Sequence, residues 1–431
     1  MDHGGLMESC DPYDDLPYRS LPIEWTAPER LALASLLHGG PRPSLDGYRV
    51  LELGCGDGAN ILPLAYYRTH AKFVGVDGSQ TAIATAEARR AELKLANLDL
   101  VHSNFLSADE RLSGVFDFII VHGIFSWVPE QTRDALFALC ANRLRPGGLL
   151  YLNYNTKPGW NVRGMVRDLL LAESAGTTGL ERRADRARDV ATKIAAALEA
   201  AGDHPYTRLL ASEFRFVSDS HVSYVAHEYL AADNHAYWRR EFAVLAQGYG
   251  FERVADADFN YDSGRIPTDL TRQVAEAGLC GQPVDDTVDF LSFRQLHSPI
   301  LTLRPWTPRP PRGQELARLF VASCLTPSDP NPSGSWMFRH PNGFEVEAKH
   351  EVMRAALERI RALWPRGMTV DTLFGDADGL VSDLILLHAH GLIALRMVEP
   401  DDRTPPSGPL NERERGWGGY HTTPYHTRES A

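Results

Sequence analysis

The sequence predicts an α/β protein in which a doubly wound, mostly parallel sheet is followed by a smaller α+β domain. Three observations support this fold class. Short apolar runs alternate with stretches of helical periodicity over residues 49–154, as in parallel sheets covered by helices on both faces. A glycine cluster follows the first apolar run, and a proline-rich stretch at 305–313 separates off a second unit. The length of 431 residues also favours two or three domains.

Each predicted element follows from hydrophobic periodicity, beginning with a lead-in helix at 28–37. The alternating units after it are strand 49–53, helix 59–68, strand 73–76, helix 81–95, strands 98–102 and 116–121, helix 130–143 and strand 149–154. Residues 162–216 are predicted to be helical, with Val190, Ile194 and Leu198 forming one apolar stripe. Two closing strands are predicted at 251–255 and 299–303.

These elements divide the chain into expected segments. They are an N-terminal lid and lead-in helix at 1–48, the α/β core at 49–160, a helical insertion with closing strands at 161–304, a C-terminal domain at 314–398 and a mobile tail at 399–431. The C-terminal domain contains HPNGF, a turn sequence suited to a β-hairpin. The tail is rich in glycine and proline, which predicts mobility.

Charge and composition argue against several classes of protein. With 44 basic and 56 acidic residues the chain is not expected to coat nucleic acid, although a local basic groove stays open. The five cysteines include no C-x-x-C pair and no set with metal-ligand spacing, so we expect neither a disulfide framework nor a metal site. Lacking a secretory signal and any run of eighteen apolar residues, the chain is expected to be soluble and cytoplasmic, without a membrane partner.

The stretch VLELGCGDGAN indicates which ligand the glycine cluster binds. Dinucleotide folds use G-x-G-x-x-G, but here Gly58 follows Gly54 and Gly56 one residue early. Glu52 precedes the cluster, and a carboxylate suits a ligand with an amino group better than one with two phosphates. S-adenosylmethionine (SAM) carries an ammonium, a sulfonium and no phosphate. Asp77, at the end of the second strand, is placed to bind a ribose, but NAD folds share this feature, so Asp77 alone does not distinguish the two ligands. The structural alternative for the glycine cluster is a turn that binds no ligand.

Several motifs carry a resemblance to a known family. LELGCGDGAN, FVGVDGS, FDFIIVHGIFSWVP and LRPGG together resemble the ordered motifs of class I SAM-dependent methyltransferases. PYDDLPYRS, HGIFSWVP, NYNTKPGW and HEYLAADN resemble a bacterial subfamily that carries a methyltransferase regulatory domain and includes protein lysine methyltransferases of the rickettsial type. The resemblance extends to about Arg304 and implies a Rossmann-like fold, SAM as cofactor and S-adenosylhomocysteine (AdoHcy) as product. The later unit resembles the family's winged-helix-like domain only loosely.

The resemblance assigns residues to the methyl donor. Those implied at its methionine end and at the start of the following helix are Glu52, Gly54, Gly56, Asp57 and Asn60. Those implied at the ribose, the adenine and the adjoining strand end are Asp77, Gly78, Asn104, Phe105 and His122, while Tyr13 and Tyr18 match aromatic positions that close over the donor. Asn104 departs from the acidic residue usual in the family, although an amide carbonyl still accepts a hydrogen bond from the adenine amino group.

Transfer to an amine requires alignment, polar oxygens to orient the nitrogen and aromatic walls that favour cations. The candidate catalytic residues are His122, Tyr154 and Asn155, and the candidate substrate-binding residues are Trp127, Trp160, His227, Glu228 and Tyr229. Each has a structural alternative: Trp127 packs at a strand-to-helix turn, His122 makes a structural hydrogen bond, and the residues from His227 to Tyr229 cap a helix.

We expect an enzyme that methylates a nitrogen on a protein or peptide side chain, with an oxygen as the less favoured alternative and lysine suggested by analogy alone. A tailoring N- or O-methyltransferase of a ribosomally made peptide or a small molecule stays open. A nucleic-acid-binding regulator is disfavoured because residues 367–395, where a recognition helix would lie, contain no Lys or Arg. The C-terminal unit is expected to recruit the acceptor, or alternatively to bury a face of the catalytic domain.

Overall fold

The computed structural model describes residues 12–18, 20–202, 204–257, 284–307, 309–330, 334–341, 343–375, 378–399 and Leu410. The predicted mobile tail at 399–431 therefore lies outside the described residues, apart from Glu399 and Leu410. Among the described helices, none combines the length and apolar character needed to cross a bilayer.

The α/β core follows the predicted alternation. Its elements are α1 (Pro12–Asp15), α2 (Pro28–Leu37), β1 (Arg49–Leu53), α3 (Ile61–Tyr67), β2 (Lys72–Asp77), α4 (Gln80–Glu92), β3 (Leu98–His102), α5 (Ala108–Arg111), β4 (Phe116–Val121), α6 (Glu130–Arg143) and β5 (Leu144–Leu152). Two later strands, β8 (Phe251–Asp256) and β10 (Pro299–Leu303), complete one sheet. The predicted α/β class is confirmed, and the predicted bounds of β1, β3, β4, α6 and β10 coincide with the observed ones.

The order of the strands in this sheet places the site. They lie in the order β3-β2-β1-β4-β5-β10-β8, with parallel pairing from β3 to β5 and antiparallel pairing at β10 and β8. Every residue of β4 is buried, which explains why its sequence is apolar at every position except Asp117. From β1 the chain winds towards β3 and then returns to the other side of β1 as β4. Sheets of this kind bind ligands at such a reversal, beyond the carboxyl ends of the strands.

The predicted strand 149–154 is wrong at both ends. β5 begins at Leu144 and ends at Leu152, and a separate strand, β6 (Tyr154–Thr156), follows it in a different sheet. At the break between them the backbone N–H of Asn153 donates to the carbonyl of Val121 (3.2 Å). This small sheet has the order β7-β6-β9 and includes β7 (Ala236–Tyr237) and β9 (Leu296–His297).

The insertion is helical, as predicted. Its helices are α7 (Lys157–Ser174), α8 (Leu180–Ala200), α9 (Pro205–Asp219), α10 (Val222–Tyr229), α11 (Arg239–Gly248) and α12 (Val284–Leu291). The predicted apolar stripe lies at the edge of the buried face of α8, because Ile194 and Leu198 are only partly buried. The face against the other helices consists of four fully buried alanines at helical spacing, Ala184, Ala187, Ala191 and Ala195.

The C-terminal unit contains two small antiparallel sheets, β15-β11-β16 and β12-β13-β14. Its elements are α13 (Gly313–Leu316), β11 (Phe320–Ala322), β12 (Thr326–Ser328), β13 (Trp336–Arg339), β14 (Glu345–Ala348), α14 (Glu351–Leu363), β15 (Met368–Thr369), α15 (Val370–Phe374), α16 (Val381–Ala389) and β16 (Ala394–Arg396). β13 and β14 pair antiparallel on either side of the HPNGF sequence, as the predicted hairpin requires, and Asn342 of that sequence lies outside the described residues.

Helix α2 belongs to two hydrophobic cores. Leu31, with neighbouring alanines, packs into the core beneath the large sheet. Leu33, Leu36 and Leu37 pack instead with residues of the C-terminal unit, such as Leu395. The lead-in helix therefore joins the α/β core to the C-terminal unit.

Candidate active site

A cavity of about 850 Å³ lies at the carboxyl ends of β1, β2 and β4, where the strand order reverses. Its walls come from the N-terminal segment, the glycine loop, α7, α10 and the residues just before β9. The volume is that of a typical small-molecule or cofactor site. One wall consists of the glycine loop and strand ends, and the opposite one is largely aromatic.

The glycine loop (54–58) turns in a conformation that other residues rarely adopt. The φ angles of Gly54, Gly56 and Gly58 are +78°, +53° and +84°. A Cβ on Gly54 would lie 2.4 Å from the Cδ1 of Ile124, so a side chain is excluded there by contact as well. A Cβ on Gly56 would meet only the Ser20 hydroxyl, at 3.2 Å. The absent side chain at Gly56 therefore leaves room for a ligand against the backbone.

Glu52 places a carboxylate beneath this loop. It is 4% exposed, and the Asn60 amide donates to its Oε1 (2.9 Å). Its Oε2 is buried without a hydrogen-bond partner. Burial raises the pKa of the Glu52 carboxyl to about 8, with a smaller contribution from the Asp77 charge. Buried polar atoms normally have partners, so this oxygen suits a cationic ligand group such as an ammonium.

Asp77 is fixed at the end of β2 by backbone donors. Its two carboxylate oxygens accept hydrogen bonds from the N–H groups of Gly56 (2.8 Å) and Ser79 (2.9 Å). A carboxylate has about four lone-pair sites and only accepts hydrogen bonds, so Asp77 is suited to bind ligand hydroxyls. Gly78 and Asp57 also line the cavity, and Asp57 lies 3.7 Å from the guanidinium of Arg89.

The predicted adenine contact is differently arranged. The Asn104 carbonyl oxygen already accepts two hydrogen bonds from Ser107, from its N–H and its hydroxyl, both at 3.0 Å. This occupies the acceptor that the sequence interpretation reserved for an adenine amino group. Asn104 and Phe105 both line the cavity, so their predicted roles stay predictions, with the ring of Phe105 available for stacking.

The N-terminal segment is fastened across the cavity. On one side, Asp14 accepts from the Ser79 hydroxyl (2.6 Å), which lowers the pKa of the Asp14 carboxyl. On the other side, the Tyr13 ring stacks on His227 with centroids 4.3 Å apart. His227 Nε2 donates to the Leu16 carbonyl (2.6 Å). The segment thus bridges α4 and α10, and His227 holds it in place.

His122 is held by a chain of hydrogen bonds. The Trp25 indole N–H donates to the Tyr151 hydroxyl (3.0 Å), which lies 2.8 Å from His122 Nδ1. If the hydroxyl accepts from Trp25 and donates to Nδ1, the imidazole proton resides on Nε2. Burial lowers the pKa of His122 to about 4. His122 therefore lines the cavity as a neutral imidazole.

Asn155 and Tyr154 lie on opposite faces of β6, because side chains alternate along a strand. Asn155 lines the cavity, and its amide nitrogen is buried without a hydrogen-bond partner. Tyr154 points the other way, with its ring stacked on Phe242 at 3.9 Å. The structure therefore does not bring the predicted catalytic Tyr154 into the cavity wall. Tyr229 is likewise fully buried within the helical insertion, away from the cavity lining.

The opposite wall of the cavity is aromatic, and we call it the aromatic compartment: Trp127, Asn155, Trp160, Tyr224 and Glu228. The Trp127 and Trp160 rings meet edge to face, with centroids 5.3 Å apart. Glu228 lies 3.5 Å from the Tyr18 hydroxyl. Burial raises the pKa of the Glu228 carboxyl to about 7, although the Arg163 charge opposes this rise.

Several lining residues were not predicted from the sequence, among them Arg163, Tyr224 and Gln295. Arg163 lies three residues after Trp160, a spacing that places both on one helix face and was readable from the sequence. Its guanidinium is 3.3 Å from Glu213, to which Gln295 also donates (3.4 Å). Gln295 carries no sequence signal, because only the tertiary pairing of β9 brings it to the cavity.

Comparison with known proteins shows which proteins this chain is similar to. Residues 50–148 match the model of a methyltransferase domain. The uncharacterised proteins RP789 and RP028 of Rickettsia prowazekii are each 30% identical to this chain, over 298 and 240 residues. The alignments cover 69% and 56% of this chain, and 53% of RP789 and 95% of RP028. The chain thus spans about half the length of RP789 and nearly all of RP028.

Among solved structures, PKMT2 from Rickettsia typhi in complex with AdoHcy superposes with a TM-score of 0.73 at 24% identity. The superposition covers 89% of this chain and 78% of that one. It shows that the two chains share a fold.

Proposed function

Because this chain belongs to the class I SAM-dependent methyltransferases of the rickettsial type, we propose that it transfers the methyl group to a side-chain nitrogen, such as a lysine amine, of a protein or peptide. The observation that carries the proposal is a single cavity with a carboxylate on each side. Glu52 suits the ammonium of the donor, and Glu228, among aromatic rings, suits the ammonium of an acceptor. PKMT2, which has a similar fold, bears a name consistent with a protein acceptor.

The residues present fit SAM. Its ammonium would satisfy the unpartnered Oε2 of Glu52, its ribose would bind Asp77, and its methionine backbone would lie against Gly56. When bound, SAM supplies a methyl group already activated by the adjacent sulfonium. The chain has to align an acceptor electron pair with that group and remove a proton from the nitrogen.

The aromatic compartment performs these two tasks in the proposed reaction. The faces of Trp127 and Trp160 attract a cation, which draws the acceptor ammonium towards the donor. Glu228, with a pKa near 7, is a better proton acceptor than an ordinary carboxylate. Asn155 supplies an amide that orients the nitrogen. His122, which its lowered pKa keeps neutral, is not required as the base in this arrangement.

The test measures methyl transfer to a library of synthetic peptides that each contain one lysine. Matched peptides with Nε-acetyllysine control for transfer to other groups. We expect methylation of a subset of lysine peptides and of none of the acetylated ones. Glu228→Gln should lower the rate about tenfold or more, whereas Asp189→Asn on the exposed surface of α8 should not. Methylation of hydroxyl groups alone, or of no peptide, would contradict the proposal and favour a tailoring enzyme.

A second readout needs no acceptor. Sinefungin is a SAM analogue with an amine-bearing carbon in place of the methylated sulfur, so its amine probes the transfer position. If the aromatic compartment binds ammonium groups, sinefungin should bind more tightly than AdoHcy, and Glu228→Gln should reduce that preference. Equal affinity of the two ligands for the wild-type protein would count against an amine acceptor.

A further inference from the structure

A buried ionic cluster lies behind the aromatic compartment. His297 Nε2 is 2.7 Å from an Asp289 oxygen, and His297 Nδ1 is 3.4 Å from an Asp256 oxygen. Arg294 approaches the same Asp256 oxygen at 3.3 Å. These four side chains are 2% to 6% exposed. None of them lines the cavity, and the proposed reaction does not use them.

The cluster pairs hydrogen-bond donors with buried carboxylates. A carboxylate only accepts hydrogen bonds, so His297 Nε2 donates to Asp289, and the Arg294 guanidinium donates to Asp256. Buried ions are stable only when paired in this way, and removal of one partner leaves an uncompensated charge.

The cluster connects to the aromatic compartment through one pair of strands. In the antiparallel pairing of β6 with β9, His297 lies opposite Tyr154, and Leu296 lies opposite Asn155. Because side chains alternate, His297 and Tyr154 share the inner face, with rings 5.4 Å apart. Leu296 and Asn155 share the face that lines the cavity. The position of His297 in the cluster therefore sets the register that presents Asn155.

The backbone around the pair is tightly joined as well. The Thr156 N–H donates to the Gln295 carbonyl (3.0 Å), and the Gly159 N–H donates to the Arg294 carbonyl (2.8 Å). A Cβ on Gly159 would lie 2.6 Å from that same carbonyl oxygen. A shift of residues 294–297 would therefore displace both β6 and the start of α7.

We propose that His297 is a positioning residue: clamped between Asp256 and Asp289, it holds β9 against β6 and so fixes Asn155 in the aromatic compartment. The inference rests on the proposed function for its consequence in the reaction, while its structural part stands alone. It also assigns a role to a buried ionic cluster, a kind of feature whose net contribution to stability is often small.

The test compares His297→Gln, which removes the imidazole but keeps an N–H donor, with the double variant His297→Gln/Asp289→Asn, which also replaces the facing carboxylate by a neutral amide. Hydrogen exchange is measured in peptides that cover 152–160 and, for comparison, β1. We expect about tenfold faster exchange at 152–160 in the single variant, little change in β1, and recovery in the double variant. AdoHcy affinity should stay within about twofold of the wild type, since the glycine loop is untouched.

The second readout is the ratio of sinefungin to AdoHcy affinity. His297→Gln should lower it about fivefold in the wild-type background and leave it unchanged in an Asn155→Ala background, because both act through one amide. Arg68→Gln serves as the matched control, since Arg68 and Glu29 form another buried ion pair (2.7 Å) outside the cavity lining. It should lower the melting temperature without changing the ratio.

Two outcomes would overturn the inference: unchanged exchange at 152–160 in His297→Gln, or an equal increase in β1, which would indicate general destabilisation. An effect of His297→Gln that persists in the Asn155→Ala background would overturn the link to Asn155. If wild-type protein shows no preference for sinefungin, the amine acceptor is contradicted, and the exchange data alone then decide whether His297 positions β6.

Discussion

Glu52 should make the binding of AdoHcy depend on pH. Its carboxyl is buried with one unpartnered oxygen, and its pKa is about 8. With that pKa, roughly 1% of molecules carry the ionised form at pH 6 and about half at pH 8. An ammonium ligand favours the ionised form. If the bound state keeps Glu52 ionised throughout this range, affinity should rise about 50-fold from pH 6 to pH 8, or about 2 kcal/mol.

The measurement is calorimetric titration with AdoHcy at pH 6, 7 and 8, in buffers of different ionisation enthalpy so that released protons can be counted. Close to one proton should leave per AdoHcy bound at pH 6. Glu52→Gln should bind weakly with no pH slope. Asp57→Asn, in the same loop, should keep the slope because that carboxylate faces Arg89. A wild-type affinity that is flat across this range, or a slope that survives in Glu52→Gln, would refute the reasoning.

Three further predictions concern thermal stability, AdoHcy affinity and turnover. The Glu52 carboxyl has its ordinary pKa of 4.5 in the unfolded chain and a pKa of about 8 in the folded protein, so between these values the folded state holds the extra proton. The melting temperature of the ligand-free protein should therefore fall as the pH rises from 4.5 to 8. A rise in melting temperature would contradict this prediction. Asp77→Ala should weaken AdoHcy by about 1.5–3 kcal/mol in calorimetry, and unchanged affinity would contradict the ribose role. His122→Ala should lower turnover more than it lowers AdoHcy affinity. Because the pKa of His122 is about 4, the variant should keep the wild-type pH–rate profile between pH 5 and 7. If the variant lost an inflection in that range, His122 would be acting as a base.

The donor side of the site could be predicted from sequence because its residues are local. The glycine spacing, the carboxylate two residues before it and the carboxylate that ends the next strand all lie on one β-α-β unit. The spacing of these residues along the chain is therefore enough to place them beside one another. Glu52 and Asp77 accordingly both line the cavity.

The acceptor side could be predicted only in part. The sequence predicts both Tyr154 and Asn155 as catalytic residues, but adjacent residues of a strand face opposite sides. The break between β5 and β6 decides which of the two faces the cavity, and this break is not visible in the continuous strand predicted from the sequence. Tyr229 fails for a related reason, since it lies one position beyond Glu228 on a helix and turns into the core. Gln295 comes from a strand pairing across more than a hundred residues, which no local pattern reveals.

The C-terminal unit could recruit the acceptor or support the catalytic domain, and the division of α2 between two cores favours support. Truncation after Arg304 would expose three leucines, at about 1.5–3 kcal/mol each, which approaches the whole stability of a typical domain. Such a protein should lose its melting transition and its AdoHcy binding together. A truncated protein that stays folded and binds AdoHcy would show that the unit is dispensable for the core.

The same helix imposes an order on biosynthesis. Leu33, Leu36 and Leu37 leave the ribosome early, but their partners begin at Leu316, roughly 280 residues later. At a synthesis rate of about 5–20 residues per second this interval is roughly 15–60 s. Throughout it the nascent chain displays an apolar helix face that nothing yet made can cover. We therefore expect chains truncated before Leu316, which lack these partners, to aggregate more readily than the full chain.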